Sequence, residues 1–521
     1  MTTRIRKAAL IFALLALALA ARGADDAFRV DYTVEVASVP DAQFHVTAEV
    51  KNIHQDSLDL SLPVWTPGWY VIENYARNIS YFSISGPDGK RLNHERTRKQ
   101  TWRVETKGFT ALTIQFDYSA TKLALNQAKI ARNFSYFTGT ELFLMAEGHR
   151  DCSSSVTLKA PKDWKAISSL KESAPFKFSA ANYDELVDCP VLMGEFDVLK
   201  FQAFGKPHFI VMAPKGKFPE ERAKELPDGL AKIVQAAGDV FFGAPYDKYM
   251  FLYFFQRAET RANGGLEHAN AHVAFCPYGA ETDTQYIFSM SAHEFFHVWN
   301  VKRIRAAQYW PYDYSREVES PLLWVSEGFT TYYGSVLLYR AGLNTRAEFY
   351  DSCAGMIAQC ESSPVREYVS PAESSVSTWL GYDNHGVFEL SYYFTGRNLA
   401  TLLDLSILHD TGGKKALDDV MRALYTDCYL NAKGFDRSDL LAALQKVSGH
   451  DYNDFFKRYA EGVERPPYEE MFAYAGLKIE FTKQRDAGGN FHAKIVEIPD
   501  ATDAQKKIRE AWLRQTSRIE K

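Results

Sequence analysis

From Phe28 to about Leu199 the apolar residues come in short, alternating runs broken by turns. Phe28–Val36, Phe44–Val50, Thr110–Tyr118 and Ser155–Leu158 read as strands, and Pro67-Gly68 and Gly86-Pro87 read as turns between such runs. This pattern predicts an antiparallel sandwich or saddle-shaped sheet. The polar stretch Pro214–Gly229, with three prolines, marks a change of character. After it come a predicted helix (Leu230–Ala237), an aromatic strand (Tyr249–Phe255) and helical periodicity to about Gly462. Two short strands, Leu477–Phe481 and His492–Ile498, and a charged helix over about Asp503–Ile519 close the chain. The expected architecture is α+β and multidomain: a β-rich domain over 25–204, a mainly helical domain over 205–465, and a short α/β segment over 466–521.

The first residues set the compartment. Arg4, Arg6 and Lys7 precede an unbroken apolar run, Ala8 to Ala21, and small residues surround Arg22. As a helix that run would rise only about 21 Å, short of a hydrocarbon core of roughly 30 Å. Residues 1–24 therefore read as a cleaved secretory signal. The mature protein is expected in the periplasm or outside the cell, with no integral membrane segment after cleavage. At 521 residues the chain exceeds what one hydrophobic core usually organises. A formal net charge of −5 gives no basic excess of the kind that nucleic-acid binders carry, so no nucleic-acid partner is expected. Six cysteines fit an exported protein; Cys353 with Cys360 and Cys152 with Cys189 are plausible bridges, and buried thiols are the alternative.

The chemistry is concentrated between residues 264 and 396. His293-Glu294-Phe295-Phe296-His297 lies in a segment, Tyr286–Val301, whose bulky residues support a helix. Residues i and i+4 share a helix face, so both imidazoles can reach one metal ion, and Glu294 can act as general base toward a metal-activated water. Zinc suits neutral imidazole and keeps an open coordination position. A third ligand is needed. Ser320-Pro321 reads as the start of a second helix, and Glu327 then lies among Leu322, Leu323, Trp324, Val325 and Phe329. A carboxylate in so apolar a segment wants a metal or a cation; Arg303 and Arg305 are the alternative partners. His268 and His272 also have i,i+4 spacing, but no acid stands in the base position and glycines precede them, so they read as structural.

Four separated motifs then carry a resemblance. PVWTPGWY (63–70), GGLEH (264–268), SAHEFFHVWNVKRIR (291–305) and LLWVSEGFTTYY (322–333) together resemble the M61 glycyl aminopeptidase family, a relative of the M1 aminopeptidases. The resemblance implies a β-rich N-terminal domain, a thermolysin-like catalytic domain, and release of small N-terminal residues, glycine and alanine above all. It implies zinc ligation by His293, His297 and Glu327, with Glu294 as general base. Glu267, with Gly264 and Gly265 beside it, matches the position where M1 relatives hold the free α-amine of a peptide substrate; paired glycines permit close backbone approach. Tyr393, in SYYFTG (391–396), is the expected oxyanion donor, preferred over Tyr392.

The sequence departs from the family pattern in three places. Thr395 stands where M1 relatives have lysine, and Ala306 where proline is usual. Barely fifty residues follow Tyr468, too few for the PDZ domain that family members often carry, so no PDZ-type peptide capture is expected. The reading is an exported zinc aminopeptidase acting on peptides with a free N-terminus. Its rivals are a zinc endopeptidase and a catalytically inactive peptide-binding scaffold of the same fold. A demand for a free amine separates the first two, and turnover separates both from the third.

Overall fold

The computed structural model describes residues 27–257, 264–278, 283–380, 390–482, 484–486 and 488–514. The signal-like segment and the last residues of the expected terminal helix lie outside these. The chain forms two compact units: residues 1–64 with 73–194, and residues 65–72 with 195–521. The architecture expected from the pattern is the one observed, with a β-rich N-terminal region, a helical centre and a short α/β segment at the end.

In the first unit an eight-stranded sheet is built around Arg29–Ser38, Gln43–Lys51 and Ala111–Ser119. Period-two alternation is the cause: Val30, Tyr32 and Val34, Phe44, Val46 and Val50, and Leu112, Ile114 and Phe116 are buried while their sequence neighbours are not. The register sets Val46 opposite both Val34 and Phe116, so one apolar row crosses the sheet. Arg29–Ser38 also pairs in parallel with Ser153–Lys159, an arrangement local turns cannot announce.

The second unit opens with a five-stranded sheet in the order 197–203, 206–213, 249–257, 271–278, 264–268. The two central pairings are parallel, and GGLEH forms the antiparallel edge. This unit has eight helices of ten residues or more among the described residues, the first between two strands of the sheet and the rest after it: α1 (Leu226–Phe241), α2 (Thr284–Phe296), α3 (Leu323–Arg340), α4 (Arg346–Ser362), α5 (Tyr392–Asp410), α6 (Leu417–Asp427), α7 (Arg437–Ser448) and α8 (Asp503–Trp512). None is long and apolar enough to cross a membrane. After α7 the strands Leu477–Phe481 and Ala493–Glu497 make a hairpin. Thr502 caps α8, its hydroxyl accepting from the Gln505 amide.

Several expectations are corrected in detail. The helix α1 begins inside the proline-rich stretch, with Pro227 in its first turn. The helix carrying His293 ends at Phe296 rather than Val301. Ser320 does not cap α3, whose helix starts at Leu323; the Ser320 hydroxyl accepts from Leu322 N at 3.3 Å, while Ser375 takes the Trp324 amide at 2.9 Å. Neither plausible bridge is formed; all six cysteines are thiols, the alternative that the sequence leaves open. Cys353 and Cys360 lie on one helix, α4, about 10 Å apart along its axis, beyond the reach of a disulfide.

Candidate metal centre and catalytic cleft

The helix α2 is capped by Asp283, whose carboxylate accepts from Gln285 N at 3.0 Å. Ile287, Phe288, Ala292, Phe295 and Phe296 bury one side of it. Tyr286, Met290, His293, Glu294 and His297 recur at helical spacing on the other side and line a cleft of about 470 Å³. Its remaining walls include Gly68, Trp69, Glu267, Glu327 and Tyr393. All of these belong to the second unit, since residues 65–72 cluster with it.

Three ligand-type atoms converge in the cleft floor. His293 Nε2 and His297 Nε2 are 3.1 Å apart, and Glu327 Oε2 lies 3.6 Å from the first and 3.3 Å from the second. The Asn300 carbonyl accepts from His297 Nδ1 at 2.7 Å, which fixes the tautomer and leaves the Nε2 lone pair facing its neighbours. Glu327 is buried, and its Oε2 accepts no hydrogen bond. Lone pairs from two imidazoles and a carboxylate pointed at one another are costly to bury without a shared cation. By donor type and spacing the three residues fit a zinc ion. Burial raises the Glu327 carboxyl, and positive charge on His297 and His293 brings it down to about 2, a role that a shared cation would also fill.

The alternative partners of Glu327 are engaged elsewhere. Arg303 donates to the carbonyls of Pro245 and Val298, both at 2.6 Å, and the Arg305 guanidinium lies 3.8 Å over the Tyr312 ring.

Two further carboxylates flank the centre. Glu294 and Glu267 both lie close to His297. Burial, reinforced by Glu267 and Glu327 and opposed by His297 and Lys302, pushes Glu294 up to about 8. Burial also raises Glu267, against the pull of Lys302, whose ammonium is 3.8 Å away. The glycines around them make room. A Cβ on Gly265 would fall 2.3 Å from Glu294 Oε1, and one on Gly68 would fall 2.5 Å from Glu267 Oε2. Gly68 also has φ +100°, a conformation that excludes other residues. Gly264 lines the cleft at the start of the edge strand.

Tyr393 and Tyr392 are separated by their surroundings. Tyr393 stacks near His293, with ring centroids 6.2 Å apart, and lines the cleft. Tyr392 is buried, and its hydroxyl is 3.0 Å from that of Thr378. Thr395 bonds back to Ser391 O at 3.0 Å and borders a separate small cavity beside Cys360 and Glu361. His268 and His272 sit in the sheet core, where burial drives His272 down to about 3.

Sequence reasoning missed Asn300 and Lys302, and it reads Pro67-Gly68 as a turn without placing it at the cleft. Asn300 Nδ2 donates to Val325 O and Ser326 O, both at 3.0 Å, tying the end of α2 to the start of α3. A polar residue three positions after the second histidine is the available signal.

Fold and cleft together define a metal-dependent peptidase with a thermolysin-like catalytic region. Comparison with known proteins agrees. The model of the peptidase M61 N-terminal domain matches residues 31–195, and that of the M61 glycyl aminopeptidase matches residues 286–399. Together these cover more than half of the chain, which belongs to the M61 family. Among solved structures, an aminopeptidase N family protein from Idiomarina loihiensis is 25% identical with a TM-score of 0.81, over 88% of this chain and 80% of that one. An M1 zinc metallopeptidase from Deinococcus radiodurans, bound to a Tyr-Ser-Ala substrate, shares the fold at 15% identity and a TM-score of 0.55, over 84% of this chain and 94% of its own. A yeast LTA4 hydrolase in complex with bestatin does so at 15% identity and 0.53, over 84% and 68%. No curated protein matches the chain.

Proposed function

We propose that the protein is an exported zinc aminopeptidase that removes small N-terminal residues, glycine and alanine, from peptides. The observation that carries this is the convergence of His293, His297 and Glu327 within 3.1 to 3.6 Å, in a cleft that also holds the Glu267 and Glu294 carboxylates. The family description supports the small-residue preference. The basic and apolar run of residues 1–24 supports export.

A zinc ion held by these three residues would supply a Lewis acid that polarises the scissile carbonyl and acidifies water. The Glu294 carboxylate takes the proton of the attacking water and passes it to the leaving amine. The Tyr393 hydroxyl donates to the tetrahedral oxyanion as charge develops there. The Glu267 carboxylate receives the α-ammonium of the substrate, with Lys302 behind it keeping the acid ionised. Trp69, Tyr286 and Met290 bound the space beside the reacting bond.

The test is hydrolysis of glycine and alanine p-nitroanilides and of matched peptides with free or acetylated N-termini, with and without chelator and zinc add-back. Chelator-sensitive release that acetylation abolishes is expected. Cleavage of the acetylated peptide would make the enzyme an endopeptidase, and no turnover by zinc-loaded protein would refute the reading.

A further inference from the structure

The helices α3 and α5 touch backbone to backbone beside the cleft. A Cβ on Gly396 would fall 2.1 Å from Trp324 O, and one on Gly328 would fall 2.4 Å from the Gly396 Cα. Neither glycine has a positive φ, so it is space and not conformation that requires them. Gly328 follows Glu327 directly, and Gly396 lies three residues after Tyr393, one helical turn along α5. The contact therefore sets the approach of one cleft-bearing helix to the other.

Neighbouring side chains fix the same turn of α5 against sliding and rotation. The Arg397 guanidinium is buried, donating to Ser352 O at 2.7 Å and Ser352 Oγ at 2.9 Å on α4, and to Ser335 Oγ at 3.1 Å on α3. On the other flank the Tyr392 hydroxyl is paired with Thr378. Tyr393, between these anchors, is the half-buried residue of the turn that stacks near His293.

We propose that Gly396 is a positioning residue for the hydrolytic reaction: by letting α5 seat against the α3 backbone, it holds the Tyr393 hydroxyl where the oxyanion forms. This rests on the reading of Tyr393 as oxyanion donor. The side chain at 395 faces away from the cleft toward Cys360 and Glu361, whereas at 396 there is no room for a side chain. A methyl group at 396 pushes the helices apart or turns α5, and a displacement of the order of 1 Å at a catalytic group costs up to about a hundredfold in rate.

The test is Gly396→Ala made in the wild-type chain and in a Tyr393→Phe chain, each assayed for kcat, KM and bound zinc. Tyr393→Phe alone is expected to lower kcat about a hundredfold; full activity there would refute the oxyanion reading itself. Gly396→Ala alone is expected to lower kcat at least tenfold with KM and zinc content kept, and to cause no further loss in the Tyr393→Phe chain. An equal loss in both chains, or loss of zinc along with activity, would show that Gly396 serves stability alone and overturn the inference. If Gly396→Ala does not yield folded protein, Arg397→Lys, which keeps the charge but breaks the fork across Ser335 and Ser352, is read in the same two chains with the same criteria.

Discussion

Helix α3 presents buried polar chemistry on two sides, and the two sides are satisfied to very different degrees. On one, Glu327 faces two imidazoles, and its Oε2 accepts no hydrogen bond. Roughly opposite, Tyr332, Tyr333 and Arg340 meet Asp404 and Asp418, which come from α5 and α6. There every carboxylate oxygen has a donor. Asp404 accepts from Leu417 N at 2.7 Å and from the Tyr332 hydroxyl at 2.5 Å. Asp418 accepts from the Tyr333 hydroxyl and from Arg340, both at 2.9 Å, and from Arg514. Buried acids of the second kind hold a fold together; those of the first kind await a ligand. Burial alone does not distinguish them, and hydrogen-bond satisfaction does.

Neutralising an acid on each side should therefore be felt first in different properties, metal binding and turnover on one side and stability on the other. Glu327→Gln is expected to reduce turnover to background and weaken zinc binding at least about a hundredfold, since a ligand is lost outright. Thermal melts should accordingly show zinc add-back raising the melting temperature of the parent and leaving the variant nearly where it stands in chelator. An equal zinc-dependent rise in both would contradict the comparison. Asp418→Asn should instead cost about 3 to 5 kcal/mol in denaturant unfolding, by leaving Arg340 buried beside a neutral partner. The folded fraction should keep its activity.

Acid titration sharpens the same contrast on the structural side. Burial raises the Asp418 carboxyl, but Arg340 and Arg514 outweigh it and hold the group near about 2, below its ordinary 3.8. A depressed native value means that the contribution is complete above pH 3.8 and disappears as pH falls through about 2. The size is about 2 kcal/mol. The free energy of unfolding should fall more steeply between pH 4 and 2 in the parent than in Asp418→Asn. Parallel curves would mean that the ion pair contributes nothing.

The two sides of α3 were also unequally legible in the sequence. His293, Glu294, His297 and Glu327 stood out because charged residues interrupt apolar segments at helical spacing, a local signal. The hairpin strand Leu477–Phe481 was legible to the residue from its alternation, an equally local signal. The Asp404 and Asp418 network was invisible, because its side-chain partners lie 72 to 96 residues from the acids and each acid alone looks like a solvated one. The end of α2 was misread for a tertiary reason: Asn300 turns away to bond α3, so the helix stops while its apolar pattern continues. Ser375 caps α3 from 51 residues away, leaving nothing local to mark the first turn. Alternation gave the strands of the first unit; the parallel pairing of 29–38 with 153–159 is long-range and left no trace in either strand.

The smallest expected effect concerns how the C-terminal segment joins the satisfied side. The Trp512 indole N–H donates to the Tyr332 hydroxyl at 2.9 Å, and that hydroxyl donates in turn to Asp404, so α8 extends the network by one link. The Trp512 ring also packs against Phe349, with centroids 5.1 Å apart, and Phe472, at 6.2 Å. Trp512→Phe removes the link but also shrinks the ring, so its total cost mixes the two. Making the same change in a Tyr332→Phe chain removes only the packing part, because the acceptor is already gone. The difference between the two costs should be about 1 kcal/mol, the net worth of one buried hydrogen bond. A difference near zero would mean that α8 is held by apolar packing alone and that the hydrogen-bonded side of α3 ends at Tyr332.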